Sequence, residues 1–253
     1  MPSAVVFWLL AGGLAAVHVF AGKLRYLQVL PRSRYLSAAG GVSIAYVFVH
    51  LLPEITERQL ALSNGADTTT PLLGITVERE LFLVALAGFA LFYGLERFVV
   101  RSQRATDGQA VAPETETNTS VAAFWLHMGS FAVYNALVGY LLVHREETGL
   151  ANLLFFFSAM ALHFFVNDYG LREHHREAYT RLGRWILAGA VVAGLGIGFL
   201  VDVREVVLGL LLAFLGGGVI LNVVKEELPE ERESSYWAFG AGVIGYTLVL
   251  LLL

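Results

Sequence analysis

No cysteine occurs in the 253 residues, which excludes disulfides, thiolate metal sites and a cysteine nucleophile. Charge is scarce as well. Asp, Glu, Lys and Arg make up 15% of the chain, against about 25% in soluble domains. The net charge of −4 supplies no basic surface for nucleic acid. The opening MPSAVVFWLL lacks a basic n-region, so it reads as a first membrane span and not as a cleaved signal peptide. The glycine runs do not follow a soluble strand, which removes a phosphate loop and ATP as a driving force. No organic cofactor is expected.

Apolar residues are what the chain does have, 57% of it, with a mean hydropathy of +0.65. They gather into blocks long enough to cross a hydrocarbon layer about 30 Å thick. Eight spans are expected, about 4–20, 35–52, 81–100, 121–143, 150–169, 185–201, 206–224 and 236–253. They form one all-α transmembrane domain over 1–253, with the lipid bilayer as its main partner. Within lipid every backbone polar group must be satisfied internally, so the spans are helices. The connector 101–120, RSQRATDGQAVAPETETNTS, lacks bulky apolar residues and is expected to be a flexible cytoplasmic loop. Odd-numbered loops carry 13 of the 17 Lys and Arg, even-numbered loops four. The excess stays cytoplasmic, which sets both termini outside the plasma membrane.

A phrase occurs twice. GGVSIAYVFVHLLPE at 40–54 and GGGVILNVVKEELPE at 216–230 share Gly-Gly at the start and Leu-Pro-Glu at the end. The first copy lies on an outward span and the second on an inward one. Related segments of opposite direction mark an inverted-topology repeat, here spans 1–3 against 6–8 with 4 and 5 between them, a 3+2+3 arrangement.

With SAAGGVSIAYVFVHLLPE, LVALAGFALFYGLERFVV and LLAFLGGGVILNVVKEELPEE in place, the chain resembles the ZIP (Zrt-, Irt-like protein) family of divalent metal transporters. The resemblance implies a carrier, not an enzyme, that moves zinc, iron or a similar ion toward the cytoplasm. It also implies homodimerisation, and a metal site formed mainly by spans four and five. The metal would be the transported substrate. HFFVND on span five is similar to the family's His-Glu-x-x-His-Glu, with His163 at the first position, Asn167 in place of the second histidine and Asp168 as the closing acid. Span four departs from the family, having no carboxylate.

A divalent ion in hydrocarbon needs imidazole, carboxylate and amide donors in place of its water, and an ionisable residue inside a membrane is a functional candidate by default. His163 and Asn167 share a helix face at i and i+4. Counting from the span ends, His127 and His163 should lie at equal depth, as principal ligands of one ion, with Asn167 and Asp168 below and Asn135 as a transient donor. His50 and Glu54 would form an outer ion-collecting rim, or simply a helix end stopped by Pro53. Glu226 and Glu227 would form its inner counterpart. His18 is expected to snorkel or pack. Two other readings stand beside transport. One is a ZIP-fold membrane protein that binds or regulates without transporting. The other is a membrane metalloenzyme using His174 and His175.

Overall fold

The computed structural model describes residues 2–21, 33–65, 80–107, 113–144, 149–227 and 235–252. Among these the regular structure is entirely helical: α1 (Ala4–Phe20), α2 (Ser33–Tyr46), α3 (Leu52–Gly65), α4 (Glu80–Asp107), α5 (Pro113–Leu141), α6 (Leu150–Ala178), α7 (Arg184–Leu200), α8 (Glu205–Glu227) and α9 (Tyr236–Leu251). Five stretches are long and apolar enough to cross a membrane: Arg34–Leu60, Glu80–Phe98, Leu150–Arg172, Tyr179–Leu200 and Glu205–Lys225. Ala4–Phe20 and Tyr236–Leu251 are apolar but shorter. Leu9, Leu86, Leu91, Trp237 and Leu251 stand exposed on the outside, as lipid-facing side chains do. The chain is an all-helical integral membrane protein.

Several helices outrun their apolar blocks. α4 continues to Asp107 and α5 starts at Pro113, so both ends of the stretch expected to be a flexible loop, 101–120, are helical. Residues 108–112 lie outside the described residues. Proline suits a helix start because its missing N–H would have no intrahelical partner there. Nor does Pro53 stop a helix. A wide π-helical turn, Val47–Leu51, precedes it, and the Leu52 N–H bonds the Val47 carbonyl five residues back. Such a turn loosens the backbone bonding that an internal proline would otherwise break, so the rod continues through α3.

A second wide turn, Tyr179–Gly183, joins α6 to α7, and the chain reverses there. α6 runs antiparallel to α5, with His127 on His175 and Tyr134 on His163. α7 runs parallel to α5, with Met128 beside Gly183, Ala136 beside Gly194 and His144 bonded to the Gly198 carbonyl.

Three parallel helix pairs hold the bundle together, and each is closed by one glycine from either side. A Cβ at Gly41 of α2 would overlap the Phe239 carbonyl of α9, and one at Gly242 would overlap Ala38. Gly88 of α4 and Gly217 of α8 meet Phe214 and Ala85 in the same way. Gly139 of α5 and Gly194 of α7 meet Val191 and Ala136. Without side chains at these points the backbones approach closely enough for dispersion to act between helices that gain nothing from leaving lipid. The two copies of the repeated phrase fall on α2–α3 and α8. These run antiparallel and touch: Leu51 lies against Gly216, and Arg58 reaches Glu205.

Candidate functional site

The interior holds polar side chains that water does not reach, at most 4% exposed: His18, His127, Asn135, His163, Asn167, Asp168 and Asn222. They fall into a central cluster and an end cluster.

The central cluster is built by α1, α5 and α6. Leu10, Ala11, Leu14 and His18 form the buried stripe of α1, a spacing that places all four on one face. His18 Nε2 lies 2.7 Å from Asn135 Oδ1, and His18 Nδ1 lies 2.8 Å from Asp168 Oδ1. Asn135 Nδ2 donates to the Phe131 carbonyl at 2.7 Å, so its oxygen must accept and Nε2 of His18 carries a proton. A second proton then lies between His18 Nδ1 and Asp168 Oδ1, on the ring or on the carboxyl, because two bare acceptors would repel. The His18 ring rests on Phe164, centroids 4.6 Å apart.

His163 is held from the other side. Its Nε2 lies 3.0 Å from Tyr134 Oη and 3.0 Å from Asn167 Nδ2, and Tyr134 in turn meets the Phe92 ring of α4 edge-on at 5.5 Å. His163 Nδ1, Asn167 Oδ1 and Asp168 Oδ2 are buried without a hydrogen-bond partner. The Tyr179 phenol lies near the Asp168 carboxylate and interacts with it, without Tyr179 Oη or Asp168 Oδ2 completing a well-formed hydrogen bond. Each of the three α6 residues therefore uses one polar atom to be held and leaves the other unpartnered. Buried polar atoms are normally satisfied, so three such orphans within six residues of one helix point to a ligand.

The end cluster draws on α4, α5, α6 and α8. Lys225 Nζ lies 2.7 Å from Glu96 Oε2, His127 Nε2 lies 4.0 Å from that same oxygen, and His127 Nδ1 lies 3.0 Å from His175 Nε2. The Lys225 ammonium also stands over the Phe131 ring, 5.9 Å from its centroid.

The expected equal depth of His127 and His163 is thus corrected. His127 is bonded to His175, twelve residues along α6 from His163, about 18 Å at the helical rise. The cause is the length of α6, which continues past Tyr169 to Ala178 and brings its second histidine group to His127. Asn135 belongs to the central cluster, where both its polar atoms are engaged, Oδ1 with His18 and Nδ2 with the Phe131 carbonyl. Glu96 of α4 takes Lys225 of α8 as its partner. His18, expected to snorkel or pack, is the hub of the centre. Its membership of the Leu10, Leu14 stripe was the signal available for it.

The outer-rim residues are also placed. His50 sits in the first wide turn with its ring 5.1 Å from that of Tyr46. Glu54 accepts from Arg58 at 3.3 Å, and Arg58 reaches Glu205 at 2.8 Å. Glu226 and Glu227 end α8, with side chains outside the described residues, as is that of His174.

Among the described residues, His, Asp and Glu side chains do not gather in threes at metal-holding spacing. On α6 the donor set reaches three only by counting the Asn167 amide. Amide oxygen with one imidazole and one carboxylate is a mixed N/O set, which suits borderline and harder divalent ions. Compared with protein-family models, with curated proteins and with solved structures, the chain matches none.

Proposed function

We propose that the protein is a ZIP-like carrier that moves a divalent metal ion, zinc or iron in class, through the interior of the helical bundle toward the cytoplasm. One observation carries the reading: His163, Asn167 and Asp168 each present an unpartnered polar atom in a region closed to water. With its proton on Nε2 and directed at the Tyr134 oxygen, His163 offers a lone pair at Nδ1; the Asn167 amide nitrogen, which donates to Nε2 in the other tautomer, then turns aside and keeps its oxygen for the ion. A second hydrogen bond that orients an imidazole in this way is a common feature of metal-ligating histidines. Asp168 is oriented likewise, with Oδ1 toward His18 and Oδ2 open.

The 3+2+3 inverted arrangement of eight spans is supported by the antiparallel course of the two phrase-bearing helices. It is supported further by a matched pair of close packings, α2 on α9 and α8 on α4, in which Gly41 and Gly217 occupy corresponding phrase positions. Both termini outside a plasma membrane, and a homodimer, complete the proposal. No covalent chemistry is assigned to the cluster.

A second reading has one observation in its favour. Asp168 and Glu96 are each already paired with a basic side chain of the same chain, as in a membrane protein that binds or regulates without transporting. Uptake of Zn²⁺ and Fe²⁺ into proteoliposomes separates the two. The carrier reading expects uptake by the native chain and its loss in His163→Ala. Undiminished uptake in that variant ends the ligand assignment, and no uptake of either ion by the native chain favours the second reading.

A further inference from the structure

We propose that Lys225 is a tethered cation that closes one end of the interior path, its ammonium holding the Glu96 carboxylate that an ion passing that end must meet. Exposure changes sharply at this pair. The side chains of Lys225 and Glu96 are 17% and 18% exposed. Asn222, three residues back on the same face of α8, is 1% exposed, as is Tyr134, and His163 is fully buried. The barrier is therefore about one helical turn thick. It is made of the Lys225–Glu96 bond, the Phe131 ring under the ammonium and the His127–His175 contact beside it.

The charges favour a clasp over a passive seal. A carboxylate facing an interior path attracts any cation, and the covalently attached one is present at high effective concentration. A passing ion must displace the ammonium, and a released ion is prevented from returning when the ammonium falls back. α8 carries a second ion pair at its opposite end, Glu205 with Arg58 of α3. Each end of this helix is thus fastened to a different neighbour.

What the clasp blocks rests on the carrier reading, but the test does not. The chain has no cysteine, so Asn222→Cys introduces a single thiol just behind the pair. Labelling by a membrane-impermeant methanethiosulfonate is followed in ion-free membranes, with the reagent applied to each face in turn. From the face nearer Lys225, Lys225→Gln should speed labelling about fivefold, the effect of losing one partly buried ion pair. Lys225→Arg should leave the rate slow, and the opposite face should show no change. Glu96→Gln, which breaks the same bond from the other side, should act like Lys225→Gln and decides the matter alone if that variant does not fold. Equal rates with Lys225 and with its Gln replacement, or a rise in Lys225→Gln absent from Glu96→Gln, would overturn the proposal. Faster labelling together with no metal uptake would retire the carrier reading and leave the clasp standing.

Discussion

The two polar clusters share α5 and α6 and differ in almost everything else. The central one is dry, and its hub pair, His18 and Asp168, is 1% and 0% exposed. The end one is half wet, and its pair, Lys225 and Glu96, is 17% and 18% exposed. A charge in water can lose its partner and be solvated again, whereas a charge in a dry interior cannot. Breaking the first pair should therefore damage the protein, while breaking the second should mainly change what can pass.

The contrast should be largest in stability. Asp168→Ala leaves His18 Nδ1 buried without its partner and should cost about 3–5 kcal/mol, whereas Glu96→Ala should cost about 1 kcal/mol or less. Denaturation of the two purified variants in the same detergent would measure this, and equal losses would break the comparison.

Next comes coupling. A double-mutant cycle on His18 and Asp168 should return about 1–3 kcal/mol. The same cycle on Lys225 and Glu96 should return less than about 1 kcal/mol. Tyr134→Phe removes one hydrogen bond to His163 and should cost about 1 kcal/mol. Its uptake should also fall, because His163 Nε2 loses a partner that orients the ring.

The smallest expected effect sharpens the comparison within one residue type. His127→Ala should reduce metal uptake less than His163→Ala, since His127 belongs to the end cluster. A greater loss in His127→Ala, measured in the same proteoliposomes, would restore His127 to the proposed metal site.

Much of this arrangement was legible in the residues and some was not. The helices α1, α7, α8 and α9 follow their apolar blocks closely, because long apolar runs have one way to satisfy their backbone in lipid. The ends of α4, α5 and α6 did not show, since helices continue beyond the hydrocarbon when their residues tolerate it, and hydropathy registers only the part that lipid requires. That error in length became an error in depth, and it moved His127 away from His163. His163, Asn167 and Asp168 were found because they sit together on one helix. His18 was passed over because its partners lie 117 and 150 residues away, and no spacing rule spans such distances.

Composition and periodicity by themselves determined that this chain is helical, belongs in a membrane and carries His163, Asn167 and Asp168 together on one span. Those properties depend on neighbours within a few turns and on the solvent the chain must match. The tertiary structure alone decided that α1 supplies the hub, that Lys225 takes Glu96, and that the histidines divide between two clusters. Each of those outcomes depends on which helix faces which and at what height. Glycines on different helices set that by letting backbones meet, and it cannot be read along a single strand of residues.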